Sequence, residues 1–396
     1  MTRYLITGAT GILGTNFICE ILKQNLNNLP NIEIYIIGRS KNSISLKQRI
    51  KLSLESNGQF YIFGKKVSQS VLSKLLKRFH FINHDLKNEK FNQDILNKFF
   101  KIDVFDHFFH IAALTDLRNN LKSAENLNLI NVIGTQNILK ALKEVEIKRF
   151  HFVSSAYVCG NSFGEITDNF IPINRSFRNY YEKSKLESEI IFTEFCKTNN
   201  KSFKVYRPSI ISGRTIEQPL GFTSKFDVFY SWANFWFKIR VNLGLGDNDF
   251  TKPLSIPVRI CLNPNSGLNI ISCDLAAKMI YHISKSSTEH SYFNIVNDEN
   301  LNHVEHVTYM LEKLNITDYT FTESIPQTFK NNYESLYYKI IGDVFTPYMF
   351  QDAIDFKKLN ISNLKIKSNS QFLDLNDFKM LIDFAVKSKF KSVQEY

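Results

Sequence analysis

Tyr181 and Lys185 stand four residues apart in Tyr181-Glu-Lys-Ser-Lys185. On a helix that spacing puts both side chains on one face, one turn apart. A phenol with a pKa near 10 is a poor proton-transfer catalyst at neutral pH. A neighbouring ammonium favours the phenolate and is expected to pull that pKa down. The pattern alone is common, as Tyr180 and Lys183 illustrate. Its context strengthens it. Upstream, Phe152-Val-Ser154-Ser155-Ala-Tyr157-Val-Cys-Gly160 closes a strand-like run. Ser155 there can hydrogen-bond a carbonyl oxygen while Tyr181 gives or takes its proton. Ser154 is expected to satisfy backbone groups at the strand end.

A second group lies at the N-terminus, in Thr7-Gly8-Ala-Thr10-Gly11-Ile12-Leu13-Gly14. It follows an apolar strand-like run and opens a helix-like one. Gly8 permits a tight turn, Gly11 permits close approach of a pyrophosphate to the helix N-terminus, and Gly14 permits close packing of helix on strand. The next strand-like run ends Ile37-Gly38-Arg39-Ser40. An acid at that tip would select a ribose 2′-hydroxyl, whereas a base accommodates a 2′-phosphate. Arg39 and Ser40 therefore favour NADP(H) over NAD(H). Asp85-Leu86 follows the third strand, where Asp85 can meet the adenine or cap a turn.

These groups need a scaffold, and the pattern supplies one. Strand-like runs at Tyr4–Thr7, Ile32–Ile37, Phe79–Asn83, Val104–Ile111, Arg149–Ser154 and Ser202–Tyr206 alternate with amphipathic stretches, including Asp94–Phe100, Leu127–Glu144 and Tyr181–Cys196. That alternation implies an α/β fold: a doubly wound parallel Rossmann sheet. After Pro208 the rhythm changes. Residues 214–265 are aromatic and turn-rich. Strand and helix return at Leu268–Ser272, Asp274–Ser284 and Tyr292–Val296, and the tail holds helices at Val304–Leu314 and Asp377–Ser388. The expected domains are residues 1–213 plus about 266–300 for the dinucleotide, and about 214–265 plus 301–396 as a smaller, mostly helical substrate-binding region or lid.

Composition limits the alternatives. At ~100–200 residues per domain, 396 residues imply two or three units. With 43% hydrophobic and 22% charged residues, the chain is globular, not disordered. Lys+Arg exceed Asp+Glu by 49 − 38 = 11, but no run of five or six like charges appears. The excess suits an anionic ligand, and no nucleic acid partner is expected. Five cysteines without a C-x-x-C pair suggest free thiols and a cytoplasmic location. No signal peptide or transmembrane segment is expected. The stretch 226–241 is interrupted by Asp227, Lys238 and Arg240 and falls short of the ~20 residues of a membrane span.

In order along the chain, the glycine loop, Asp85-Leu86, His110-Ile-Ala112-Ala113, Asn131-Val-Ile-Gly134-Thr135, Ser154-Ser155, Tyr181-x-x-x-Lys185 and Arg207-Pro208-Ser209 resemble an extended short-chain dehydrogenase/reductase. The resemblance covers residues 4–213, and Ser272-Cys-Asp274-Leu-Ala276 carries it to about 300. It implies an NAD(P)-dependent oxidoreductase with Ser155, Tyr181 and Lys185 as catalytic triad. The cofactor-binding set would be Thr7, Gly8, Thr10, Gly11, Ile12, Leu13, Gly14, Arg39, Ser40, Asp85, Leu86, Ala112, Ala113, Asn131, Tyr181, Lys185, Pro208 and Ser209. Asn131 would pack the sheet or support Lys185 through water.

Val153 to Gly160 and Tyr206-Arg-Pro-Ser-Ile-Ile211 are similar to thioester reductase and fatty-acyl-CoA reductase ("male sterility") domains, which reduce an acyl thioester with NADPH. The implied substrate is a small molecule or acyl thioester, with any coenzyme A or carrier protein acting in trans. Gly213-Arg214-Thr215 departs from the usual acidic continuation. The alternatives are a nucleotide-sugar epimerase or ketone/alcohol dehydrogenase of the same superfamily, and a catalytically inactive NADP-binding sensor or scaffold. Ala156-Tyr157 replaces the acidic pair of sugar dehydratases, and the second strand lacks the epimerases' acidic selector. Tyr157, Trp232 and Arg259 are substrate candidates, Arg259 as an anion contact. The aromatic stretch around Trp232, Phe235, Trp236 and Phe237 reads equally as acyl channel, lid or core. His110 is expected to pack near the cofactor, and Cys159 to fill space. His303 and His306 are expected to be solvated, not metal ligands. A homodimer is one assembly open to the chain.

Overall fold

The computed structural model describes residues 1–89, 104–172, 176–247, 250–361 and 373–391. The expected helix at 94–100 lies outside them. Seven strands form the central sheet: β1 (Thr2–Thr7), β2 (Ile32–Gly38), β3 (Phe79–Asn83), β4 (Phe105–His110), β5 (Ile147–Val153), β6 (Phe203–Pro208) and β7 (Tyr292–Ile295). They lie in the order β7-β6-β5-β4-β1-β2-β3, and every neighbouring pair is parallel. This is the doubly wound α/β sheet that the alternation predicts. Helices cover both faces, so the inner strands are apolar almost throughout. Tyr4, Leu5, Ile6 and Thr7 of β1 are all buried.

The helices that matter for the site are α1 (Ile12–Gln24), α2 (Tyr180–Thr198), α3 (Phe229–Asn242), α4 (Cys273–Lys285), α5 (His303–Lys313), α6 (Asp343–Met349) and α7 (Leu375–Lys387). Leu13, Phe17, Ile18, Ile21 and Leu22 form the buried stripe of α1, which packs against α4. The switch in strand order falls between β1 and β4. The loops leaving these two strands diverge there and open a crevice at the sheet's carboxyl edge.

Beyond the sheet, one apolar cluster runs from Ala156 to Phe390 and takes in α3, α5, α6 and α7. This region also contains strands that periodicity did not reveal. Leu254–Cys261 pairs in parallel with Ile316–Thr322, and Gly164–Ile166 with Ile354–Phe356. Two expectations fail here. His303 and His306 are buried, not solvated: α5 packs its first turn against α7, and the rings bond each other at 3.1 Å. Arg259 holds Glu334 through Nε and Nη2 at 2.9 and 2.8 Å, so its charge is already matched.

A buried ion pair joins the sheet to α2. Arg207 on β6 donates to both oxygens of Glu189 at 3.2 and 2.5 Å, and its remaining nitrogen to the carbonyls of Asp168 and Phe170. Both side chains are nearly wholly buried, at 4% and 5% exposure. Glu189→Ala strands a guanidinium in the interior. It is expected to lower the unfolding free energy by about 3–5 kcal/mol, read from the midpoint of a urea unfolding curve.

Candidate active site

Gly8 adopts φ +76°, a left-handed conformation that glycine takes without strain. A Cβ there would lie 2.4 Å from the Ala112 nitrogen, so the loops after β1 and β4 are in direct contact. Gly14 is equally confined, since a Cβ would meet the Gly8 carbonyl oxygen at 2.1 Å. Gly11 is different. A Cβ there would meet only the Gly8 oxygen, at 3.4 Å. Among the described residues nothing else fills the space beside Gly11. Gly11 is also the N-cap of α1, with no side-chain cap and no acid in the first turn. The unpaired amides of that turn are a ready site for an anion.

The loop forms one end of a cavity of about 710 Å³. Gly8, Thr10, Gly11, Ile12, Leu13, Gly14, Arg39, Asp85, Leu86, Ala112, Ala113, Ser155, Tyr157, Tyr181, Lys185, Pro208, Ser209 and Trp232 all lie on its wall. Of the sequence candidates, Thr7, Ser40, Asn131 and Arg259 do not. Thr7 is buried beneath the loop, bonded to His110 Nδ1 at 2.7 Å. The amide of Ser40 bonds Asn83, and its side chain faces solvent. Asn131 brackets Leu114, accepting from its N–H at 2.7 Å and donating to its carbonyl at 3.0 Å, and also donates to Ser184 on α2 at 2.9 Å. It shapes the wall from behind.

Helix α2 carries Tyr181 and Lys185 on one face, as the spacing predicts. Lys185 Nζ donates to the Val153 carbonyl at 2.7 Å and sits 4.7 Å from the centre of the Phe152 ring. Burial pulls its pKa down to about 8. Burial pushes the Tyr181 phenol up to about 12, while hydrogen bonds to the hydroxyls of Thr115 and Ser155 draw it partly back. The expectation that the lysine would depress the phenol is not met here: Lys185 is anchored on β5 and burial dominates. Ser155 caps the turn Ala156–Cys159 by accepting from the Tyr157 amide at 3.2 Å.

Two buried hydroxyls on the wall, Ser154 and Ser209, have no hydrogen-bond partner among the described residues. Ser154 was expected to satisfy backbone groups; only its amide does so, donating to the Tyr206 carbonyl at 2.7 Å. These orphan hydroxyls, the uncapped α1 and the open space at Gly11 fit a polar, phosphate-bearing dinucleotide. Near the tip of β2, Lys41 and Arg49 join Arg39 on the wall. Arg39 pairs with Asp85 at 3.0 Å, and Arg49 donates to the Arg39 carbonyl at 3.2 Å. Burial and the Arg39 charge together lower the Arg49 pKa.

Sequence reasoning missed Lys41, Arg49, Thr115, His306, Met310 and Tyr348, all on the wall. The last three belong to the far lobe, with Phe229, Val307, Phe345 and Met349. The aromatic stretch is core and wall at once. Trp236 is wholly buried in the apolar cluster, whereas Trp232 reaches the cavity. His110 is neutral, its pKa lowered to about 3 by burial, and Cys159 is a buried free thiol.

The sequence model of the male sterility protein family matches residues 6–280. The chain belongs to that family. It is thus an extended short-chain dehydrogenase/reductase, an oxidoreductase that uses a nicotinamide dinucleotide. No curated protein matches it. Among solved structures it is similar to the terminal R domain of the myxalamid PKS-NRPS pathway, with TM-score 0.70 and 17% identity over 99% of this chain and 92% of that one. It is also similar to a thiolation-reductase di-domain of an archaeal non-ribosomal peptide synthetase, at TM-score 0.62 and 15% identity over 98% and 76%. UDP-glucuronic acid 4-epimerase from Bacillus cereus matches at TM-score 0.61 and 18% identity over 98% and 99%. At such identities these structures share the fold. Among the described residues no helix is long and apolar enough to cross a membrane.

The glycines separate packing from binding. Gly14→Ala is expected to destabilise the male sterility fold through its clash. Gly11→Ala should keep the wild-type melting temperature yet weaken dinucleotide binding by at least about tenfold, measured by nicotinamide fluorescence titration.

Proposed function

We propose that the protein is an NADP(H)-dependent reductase of a carbonyl or acyl thioester, with Ser155, Tyr181 and Lys185 as its catalytic groups. The observation that carries this reading is the single cavity. It runs from the uncapped α1, past Ser155, Tyr181 and Lys185, into a lobe walled by Phe229, Trp232, Val307, Met310, Phe345 and Met349. Residues 1–213 with about 266–300 would hold the dinucleotide, and the remainder the substrate.

In this reading the α1 amides take the pyrophosphate, and Arg39, Lys41 and Arg49 take the 2′-phosphate. Three cations against the one carboxylate of Asp85 favour the phosphorylated form over NAD(H). When bound, the reduced dinucleotide supplies the hydride. Ser155 and Tyr181 hold the carbonyl oxygen between them. Tyr181, kept protonated at neutral pH, is suited to deliver a proton to the developing alkoxide, which is more basic than a phenolate. Lys185 is positioned to stabilise the negative charge and to hold the nicotinamide ribose. With a thioester, the hemithioacetal formed loses thiol to leave an aldehyde. A largely apolar lobe suits an acyl or aryl group better than a nucleotide sugar, whose hydroxyls would need partners. A thioester would arrive on coenzyme A or on a carrier protein; one of the structures that share this fold is a thiolation-reductase di-domain.

The test is NADPH oxidation against a panel of acyl-CoA, acyl-carrier, ketone and nucleotide-sugar substrates. Tyr181→Phe is expected to lower kcat by roughly 10²–10⁴-fold with an unchanged NADPH dissociation constant; full activity would sink the assignment. In a separate titration, Arg39→Ala should weaken NADPH by about tenfold or more and leave NADH nearly unaffected. An equal loss for both would remove the NADP(H) preference.

A further inference from the structure

Tyr348 is the point at which the C-terminal region meets the catalytic groups. It lies on α6 and on the cavity wall. Its hydroxyl accepts from Asn179 Nδ2 at 2.6 Å and donates to Glu182 Oε1 at 2.7 Å. Both partners shape the first turn of α2, the turn that carries Tyr181. Asn179 is the N-cap, its side-chain oxygen accepting from the Glu182 amide at 3.1 Å. Glu182 reaches back to the Arg178 amide at 3.1 Å and to the Arg178 guanidinium at 3.0 Å.

The ring of Tyr348 makes the second connection. It meets the Tyr157 ring edge-on, with centroids 5.7 Å apart, and the Arg178 guanidinium lies against both rings at 5.1 and 6.0 Å. Tyr157 is the residue whose amide orients the Ser155 hydroxyl. One side chain from α6 therefore touches the support of Tyr181 and the support of Ser155.

We infer that Tyr348 is a positioning residue: through Asn179 and Glu182 it fixes the turn bearing Tyr181, and through Tyr157 it fixes the turn bearing Ser155. Its neighbours Phe345 and Met349 face the far lobe of the same cavity. The segment that contacts the substrate's body thus also sets the spacing of the groups that act on its carbonyl. The wholly buried Glu182 carboxylate accepts the phenol hydrogen while the Asn179 amide donates to the phenol oxygen, and together they hold the hydroxyl in one direction.

The kinetic arm of the test rests on the reductase reading, and the structural arm does not. Tyr348→Phe keeps the ring and removes the hydroxyl. It is expected to lower kcat about 10–100-fold with the KM for NADPH unchanged and a cooperative melting transition retained. In the Tyr181→Phe background the same change should cost no further activity, since the group it positions is already gone. Hydrogen exchange should rise in peptides spanning residues 176–186 and stay at the wild-type level in α4. Asn179→Ser keeps a capping oxygen and removes only the amide that bonds Tyr348; it should move exchange the same way, and it stands in if Tyr348→Phe does not fold. The inference is overturned if kcat stays within about twofold of wild type, if the loss is equal in the Tyr181→Phe background, or if exchange rises uniformly or not at all. If no substrate in the panel is turned over, the reductase reading fails and the exchange arm alone decides the role of Tyr348.

Discussion

The Ala112 amide donates to Thr7 Oγ1 at 3.3 Å, Thr7 bonds His110 Nδ1 at 2.7 Å, His110 Nε2 bonds Thr135 at 3.0 Å, and Thr135 donates to the Asn131 carbonyl at 2.6 Å. The direction of every bond follows from its ends. An amide can only donate and a carbonyl can only accept. Thr135 gives its only hydrogen to the Asn131 carbonyl and so accepts from His110 Nε2–H; the neutral ring is then an acceptor at Nδ1, and Thr7 passes its own hydrogen to it. The Asn131 side chain then continues the connection to Leu114 and to Ser184 on α2. Because the chain is buried, a break anywhere leaves an unpaired polar atom at a cost of about 1–3 kcal/mol. It ties the end of β1, the strip 112–114 and helix α2 into one unit. The contact of Gly8 with Ala112 and the shape of the cavity wall both depend on that unit. Thr7, His110 and Asn131 matter as this frame.

The frame also sets the electrostatics. A protonated His110 would break the donor order and place a second charge beside Lys185, whose field, with burial, holds the ring neutral. Lys185 has one carbonyl and one aromatic face in place of water, so its own ammonium is weakened. Tyr181 is shifted the other way by the same burial. Desolvation disfavours whichever form is charged. The same burial thus moves the two groups in opposite directions, the Tyr181 phenol up and the Lys185 ammonium down. A ligand that excludes water and brings negative charge to Lys185 would favour its charged form.

What could be read from the sequence was whatever is local along the chain. The glycine loop, the strand ends and the Tyr181–Lys185 spacing each occupy one element, and periodicity locates elements. Ser155 was legible because it follows a strand at the sheet's carboxyl edge. Thr115 and Tyr348 were not, because each becomes part of the site only by tertiary packing between distant segments. Arg49 stands ten residues after Arg39 on a different element and has no motif. His303 and His306 misled because their spacing on a polar helix start says nothing of the neighbour that covers them; α7 comes from the far end of the chain. Arg259 looked available for an anion until folding placed Glu334 opposite it. The strand pairing of Leu254–Cys261 with Ile316–Thr322 was invisible for the same reason.

The fold is shared with reductases and epimerases alike, so it cannot choose the reaction. The choice has to come from what faces the carbonyl and what surrounds the rest of the substrate. After Ser155 this chain has Ala156 and Tyr157, neither of which can act as a carboxylate acid or base. Tyr157 is instead committed to packing against Tyr348 and Phe356. An elimination chemistry that needs an acid at that position has no group to use. The far lobe argues the same way from desolvation. Phe229, Val307, Met310, Phe345 and Met349 offer no hydrogen bonds, the indole of Trp232 is already donated to Tyr337, and the Tyr348 hydroxyl is committed to Asn179 and Glu182, which leaves His306 Nδ1 as a polar atom of that lobe without a partner among the described residues. A sugar brought there would take most of its hydroxyls out of water without giving them a partner. An apolar acyl or aryl body loses nothing of the kind, and it is the kind of body that the proposed reduction at Ser155, Tyr181 and Lys185 would place in that lobe.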